Sequence, residues 1–310
     1  MPNPTNRFQE PLLNPTPDKP AQLRRLLADG KTLMLPGAFN AICAKIIENL
    51  GYPAVYISGA GLANGVGGYP DIGMLSMAEA VQQSGYIAQA VNIPAIADAD
   101  TGFGEAIQVF RTVQAMEQAG LSGIHIEDQV FPKRCGHLQG KQLISTEAMT
   151  EKLSTAVAAR KNPDFLLIAR TDAKAVDGLD AAIDRACRYV DAGADMIFAE
   201  AMTSPQDFEA FAQGVRKRHP HIMLLANMTE FGKTPYLNVQ EFEQLGYNIV
   251  IFPLSAFRVM MKSVEEALAK LKADGGQTAI LEQMTTRQDL YKLIHYEEYE
   301  ALDQSIAGYQ

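Results

Sequence analysis

From about residue 21 to about residue 273, short apolar runs of strand length alternate with longer segments of helical period. The runs fall at 33–35, 54–58, 95–99, 123–127, 165–169, 196–200, 223–226 and 249–252, which predicts eight strands. Several are apolar throughout rather than at alternate positions, as parallel strands covered on both faces must be. The stretches between them are long enough for crossover helices, for example 78–91, 106–118, 181–191 and 205–216. A stop signal also recurs. Leu50-Gly51, Ala119-Gly120, Ala192-Gly193 and Leu245-Gly246 each close a helical segment shortly before the next strand, where glycine supplies a left-handed end. Eight such units without a break in composition predict an α/β fold, a (β/α)8 TIM barrel, with a doubly wound open sheet as the rival.

Two flanking pieces depart from the pattern. Residues 1–20 hold five prolines before Pro20 and few apolar positions, and read as an extended N-terminal arm. The tail from Thr278 carries apolar-periodic pieces at 280–284 and 290–302, which predict C-terminal helices packed on the barrel or on a partner. The expected organisation is therefore an arm at 1–20 and one barrel domain with a helical extension over 21–310.

Composition narrows the class. The 310 residues are 47% hydrophobic and 20% charged, a mix able to bury a large core. The balance of 27 Lys+Arg against 36 Asp+Glu gives −9, which disfavours nucleic acid as a partner. No apolar run approaches the ~18 residues of a membrane span. The first residues lack a signal-peptide pattern, so the expected compartment is the cytoplasm. Three cysteines, Cys43, Cys135 and Cys187, are too few for a disulfide framework.

Candidate chemistry gathers at one end of the strands. In a barrel of this type the C-terminal strand ends carry the active site. Here they deliver Ser58-Gly59-Ala60, Asp98-Ala99-Asp100, Glu127-Asp128, Arg170-Thr171-Asp172, Glu200 and Asn227. Like charges collected at one rim cost stability unless something compensates them. Asp98 and Asp100, two apart on a strand, point to the same side and suit a hard divalent cation such as Mg²⁺, although the same residues could simply make a turn. The segment Lys133-Arg134-Cys135-Gly136-His137 follows strand four in a loop. Its cations and imidazole would lower the thiol pKa and make Cys135 a usable proton donor or nucleophile, against the plainer reading of a basic surface loop. Glycine motifs at 59–64, 30–32 and 232–234 fail the dinucleotide and phosphate-loop fingerprints.

Lys133-Arg134-Cys135-Gly136-His137, with Ala97-Asp98-Ala99-Asp100-Thr101-Gly102 upstream, resembles the isocitrate lyase and phosphoenolpyruvate mutase superfamily. The likeness covers roughly residues 20 to 305 and includes the segments at 56–59, 124–129, 168–172, 252–258 and 284–287. Arg134 sets the loop apart from isocitrate lyases, which typically carry Lys there. The resemblance implies a barrel whose eighth helix is exchanged between subunits of a homotetramer, and Mg²⁺-dependent C–C cleavage of a small tricarboxylate to pyruvate and succinate. It implies that Asp98 and Asp100 hold Mg²⁺, and that Ser58, Gly59 and Ala60 bind the hydroxy-acid end. Arg170, with Glu200 beside it, would take a substrate carboxylate; Asn227, Met228, Thr229, Arg258 and Arg287 would surround the succinate portion. Asp71 and Gly136 complete the expected substrate site. Cys135 would protonate the carbanion with Lys133 and His137 assisting. Tyr56 is the candidate base, and Glu127 is also counted as catalytic. Alternatives are a lyase acting on isocitrate, dimethylmalate or oxaloacetate, or a retired barrel that senses a dicarboxylate.

Overall fold

The computed structural model describes residues 17–134, 136 and 140–307. Eight parallel strands, β1 Leu33–Ala38, β2 Val55–Ile57, β3 Ala95–Asp98, β4 Gly123–Glu127, β5 Leu166–Thr171, β6 Met196–Ala199, β7 Met223–Asn227 and β8 Ile249–Phe252, close into a barrel in sequence order. The ring shuts through β1 against β8, with Leu33 opposite Ile249 and Pro36 opposite Phe252. The (β/α)8 expectation is met, and the eight runs were placed to within a few residues. The largest difference at a strand end is at β1, which continues three residues to Ala38; β5 continues two, through Arg170 and Thr171, so Arg170 is a strand residue.

Helices α1 Lys19–Ala28, α2 Ala41–Asn49, α3 Gly59–Gly65, α4 Met77–Gln89, α5 Ala106–Gln118, α6 Thr146–Ala159, α7 Leu179–Asp191, α8 Pro205–Arg216 and α9 Val239–Gln244 follow the chain round the outside. Gly51, Gly120, Gly193 and Gly246 all have φ between 82° and 101°, the left-handed stops that the repeated Gly signal predicts. The two-turn α3 starts directly after β2, with Ser58 Oγ accepting from Gly61 N, so a helix does begin at Gly59 where the sequence offered no helical period.

Strand periodicity divides the core in two. Side chains of one parity, among them Leu35, Tyr56, Ile96, Leu166, Ile168, Met196, Phe198, Leu225 and Ile251, fill the barrel interior. Those of the other parity, such as Ile57, Ala97, Ile124, Ile126, Leu167, Ala169 and Ile197, pack against the helices. Helix α1 belongs to the inner set: Leu23 and Leu27 join the interior cluster. Buried Lys19 fixes α1 to α4, its Nζ donating to the carbonyls of Ala88 and Val91, both at 2.6 Å. That helix begins inside the stretch read as an arm; residues 1–16 lie outside the described residues.

Contacts divide the chain into two compact units. One, Asp18–Arg258, holds the whole barrel. The other contains the chain from Val259 onward. The boundary falls within α10 Ser255–Asp274, a twenty-residue helix in which Phe257 is the one buried residue. Beyond it lie a 3-10 segment Thr278–Gln283, α11 Arg287–Leu293 and α12 Tyr296–Ala307. The run expected at 290–302 is thus broken at His295, whose φ is 57°, and Tyr291 and Tyr296 stack across the break at 4.5 Å. Among the described residues no helix is long and apolar enough to cross a membrane.

Candidate active site

The inward parity of the strands, carried to their C-terminal ends, selects Ser58, Asp98, Glu127, Arg170, Glu200 and Asn227. The site is therefore the top polar layer of an otherwise apolar barrel interior. Gly59 is needed at its edge, because a Cβ there would stand 2.7 Å from Asp98 Oδ2.

The acidic corner is built by the turn after β3. Asp98 Oδ1 accepts from Asp100 N at 2.9 Å, and Asp100 has a left-handed φ of 46°. Three bonds hold this turn: Glu127 N to Asp100 O (2.9 Å), Thr112 Oγ1 to Gly102 O (3.0 Å) and buried Lys152 Nζ to Thr101 O (3.1 Å). Burial pushes the carboxyls of Asp98 and Asp100 above the usual range and that of Glu127 well above it. Neither Glu127 oxygen accepts a hydrogen bond, although Oε2 lies 3.3 Å from Arg170 Nε.

Two buried cations oppose these carboxylates. Lys133 Nζ is 2.9 Å from Asp100 Oδ1 and also pairs with Asp71, which brings the loop before α4 into the site. Burial disfavours the ammonium, but Asp100, Glu127, Asp71 and Asp98 outweigh it and hold Lys133 firmly charged. Arg170 is the hub of the other half. Its Nε and Nη2 reach Asp172 at 3.0 and 3.3 Å, Glu200 lies at 3.7 Å, and Phe198 lies beneath the guanidinium at 5.1 Å. Glu200 is itself fixed by Asn227 Nδ2 at 3.1 Å and Ala201 N at 2.8 Å.

Beneath the layer, Tyr56 and His125 share a 2.8 Å hydrogen bond. Burial lowers His125 to about 3, so the imidazole is neutral. Its Nδ1 has no hydrogen-bond partner and lies 3.7 Å from Asp98 Oδ1. Burial and the Asp98 charge hold the Tyr56 phenol well above its ordinary value. The candidate base is thus a 3% exposed phenol bonded to a histidine.

Other expected residues scatter. Asp128, counted with the rim carboxylates, has the outward parity and serves the helix layer. It accepts from Thr171 Oγ1, Tyr189 OH and Asp172 N at 2.8–2.9 Å, with Arg185 at 3.4 Å. Met228 likewise faces outward into the outer core, with its sulfur accepting from Leu237 N, so its side chain does not meet the polar layer. Thr229, one step further, is buried near the rim. Arg258 is half-exposed at the start of α10, 3.4 Å from Glu230 and 5.4 Å from the Phe231 ring. Arg287 opens α11 in the second unit and is exposed. Gly136 packs directly on the site, since a Cβ there would lie 2.4 Å from Glu200 Cγ and 2.6 Å from Arg170 Nη2. Cys135 and His137 lie outside the described residues. Sequence reasoning assigned no role to His125, Asp172 or Lys141. Parity along β4 and β5 is the signal that selects His125, and nothing in the sequence pairs Lys141 with Asp172.

The donor set fits Mg²⁺. Its oxygens are all carboxylate, and Glu127 presents two buried oxygens without hydrogen-bond partners. Among the described residues no three His, Cys, Asp or Glu side chains converge closely enough to hold an ion unaided.

The model of the family described as phosphoenolpyruvate phosphomutase matches residues 23–272, and the chain belongs to that family. The chain is 46% identical over 300 residues to the 2-methylisocitrate lyase of Aeropyrum pernix, covering 97% of this chain and 94% of that one. It is 42% identical to the 2-methylisocitrate lyase of Vibrio cholerae, covering 97% and 98%. Among solved structures, 2,3-dimethylmalate lyase superposes with a TM-score of 0.86 at 34% identity over 94% of this chain and 96% of that one. Phosphonopyruvate hydrolase, solved with oxalate and Mg²⁺, superposes at 0.83 with 31% identity, covering 92% and 98%.

Proposed function

We propose that the chain is a carbon–carbon lyase that cleaves 2-methylisocitrate to pyruvate and succinate, the methylcitrate-cycle step of propionate breakdown. The observation that carries this reading is the inward polar layer, in which acidic Asp98–Asp100–Glu127 and cationic Arg170 face one space, in a chain so similar to 2-methylisocitrate lyases.

The reaction removes a proton from the tertiary hydroxyl, breaks the adjacent C–C bond, and returns a proton to the carbanion beside the succinate carboxylate. Asp98 and Asp100 would hold Mg²⁺, which would supply Lewis acidity for the cleavage. The backbone N–H groups of Ser58, Gly59 and Ala60 receive the hydroxy-acid carboxylate. Tyr56 is the candidate to take the hydroxyl proton, with Glu127, whose carboxyl is raised by burial, beside it in the same polar layer. Arg170 holds a substrate carboxylate as a fork and stabilises the charge that moves onto it in the carbanion. Asn227 and Thr229, with Arg258 and Arg287, orient the remaining carboxylate. Cys135 delivers the final proton, with Lys133 and His137 supporting its charge balance. Asp71 serves this arrangement through its pair with Lys133.

An assay with Mg²⁺ tests this directly. Parallel incubations with 2-methylisocitrate, isocitrate and 2,3-dimethylmalate should give pyruvate chiefly from the first. Glyoxylate from isocitrate as the main product would overturn the substrate assignment.

The same reading places the enzyme in the cytoplasm as a homotetramer with an exchanged eighth helix, and without a nucleic-acid or membrane partner. Two surfaces support the exchange. An apolar groove of about 760 Å³ on the barrel is lined by Met34, Leu237, Val239 and Phe252. On α10, Met261, Val264, Leu268 and Leu271 form an exposed stripe at helical spacing. Light scattering after size exclusion should give four times the chain mass, and Val264→Glu with Leu268→Glu should lower it; an unchanged tetramer in that variant would exclude α10 from the interface.

A further inference from the structure

The segment carrying Cys135 is anchored by more than the residues of the expected site. Its stem is a short ribbon, in which Gln129 and Leu143 form an antiparallel bridge. Val130 N donates to Gln142 O and Ile144 N to Asp128 O. At one end, Gln129 clamps the backbone of Arg134, accepting from its N and donating to its O, both at 2.9 Å. At the other end stands Lys141, 7% exposed, a residue that the mechanism above does not use. Its Nζ donates at 2.6 Å to the carbonyl of Gly136 and at 2.6 Å to Asp172 Oδ1. The same Asp172 carboxylate is the bidentate partner of Arg170, and Asp172 N is held by Asp128 Oδ1.

We infer that Lys141 is a positioning residue, a latch that ties the Gly136 peptide to the Arg170–Asp172 pair and so fixes this stretch of loop relative to the carboxylate-binding guanidinium. Asp172 is fully buried and stands beside Glu127 and Asp128, so it requires more than one cationic donor. Lys141 supplies the second, and the geometry that does so also takes up the Gly136 carbonyl, whose Cα already packs on Arg170 and Glu200. One ammonium therefore couples the height of the loop to the orientation of Arg170. A methionine at 141 would fill similar volume but would remove the Lys141 donor from the Gly136 carbonyl and leave Asp172 Oδ1 with the longer Arg170 Nη2 bond.

The inference rests on the proposed lyase reading for its kinetic arm, and a second arm is independent of substrate. In Lys141→Met, kcat should fall by about 100-fold, the scale expected of a displacement near 1 Å, while KM changes less than about threefold. Lys141→Ala should behave alike and should recover activity with added ethylamine or propylamine but not with equal concentrations of trimethylamine, a dependence that a packing role would not show. In the protein without substrate, hydrogen exchange at residues 129–134 and 140–144 should rise in Lys141→Met while the barrel strands stay protected. Wild-type kcat in Lys141→Met, or exchange unchanged from wild type, overturns the latch. If the wild-type protein turns over no tricarboxylate, the lyase reading fails and the exchange experiment alone decides the latch.

Discussion

Replacing Cys135 with alanine should lower turnover of 2-methylisocitrate by about 10²–10⁴-fold, the range that a positioned proton donor contributes. Binding of Mg²⁺ and of pyruvate should stay within a few-fold of wild type, because the residues proposed to hold them are strand-end groups elsewhere in the barrel. Lys133 is buried among Asp71, Asp100 and Glu127, and Gly136 packs on Arg170 and Glu200. In the chain, residue 135 falls between these two neighbours. Cys135→Ser should be nearly as inactive, since an aliphatic hydroxyl is a far weaker acid than a thiol. Steady-state rates combined with calorimetric titration of Mg²⁺ and pyruvate separate the two effects. An alanine variant that keeps near-normal turnover would remove the thiol from the mechanism.

The barrel was legible because its signals are local and repeated. Apolar runs, helical spacers and the glycine stops at 51, 120, 193 and 246 depend only on neighbouring residues, and all reappear in the structure. Much of the site was legible for the same reason: a barrel brings its strand ends together, so Asp98, Glu127, Arg170, Glu200 and Asn227 could be gathered without knowing any contact. What was missed depends on direction and on long-range pairing. Asp128 follows Glu127 by one residue and so faces the other layer, where Tyr189 and Arg185 of α7 hold it. Met228 follows Asn227 and turns outward by the same rule. Tyr56 could be named by residue type, but its hydrogen-bond partner His125 lies 69 positions away and no local signal joins the two. The division at Arg258 was invisible because α10 has ordinary helical periodicity; its exposed apolar stripe acquires meaning only when no part of the same helix past Phe257 is buried.

Arg170 gives the largest expected effect on both stability and activity. It is the common counter-ion of Glu127, Asp172 and Glu200 at 3.0–3.7 Å, and Asp172, Glu127 and Glu200 keep its guanidinium charged against burial. Arg170→Met leaves those carboxylates with Lys133 and Lys141 alone, and breaking a buried pair from one side costs about 3–5 kcal/mol. The sign of its pH dependence follows from Glu127, whose carboxyl is already raised by burial and is lowered by Arg170. Without the arginine it rises further. A carboxyl with a raised folded pKa contributes stability below its unfolded value, near 4.3, and loses it as pH climbs through the folded one. The deficit in melting temperature should therefore be smallest near pH 5 and should widen toward pH 8. Arg170→Lys separates charge from geometry: it should recover much of the stability at pH 7.5, yet leave turnover at least about 100-fold low, because an ammonium cannot fork to a carboxylate while sitting over Phe198. Thermal unfolding of both variants across pH 5–8, beside their kcat, checks each part. A methionine variant as stable as wild type at pH 8 would mean that the buried carboxylates are already protonated in the native protein and that Arg170 is not their counter-ion.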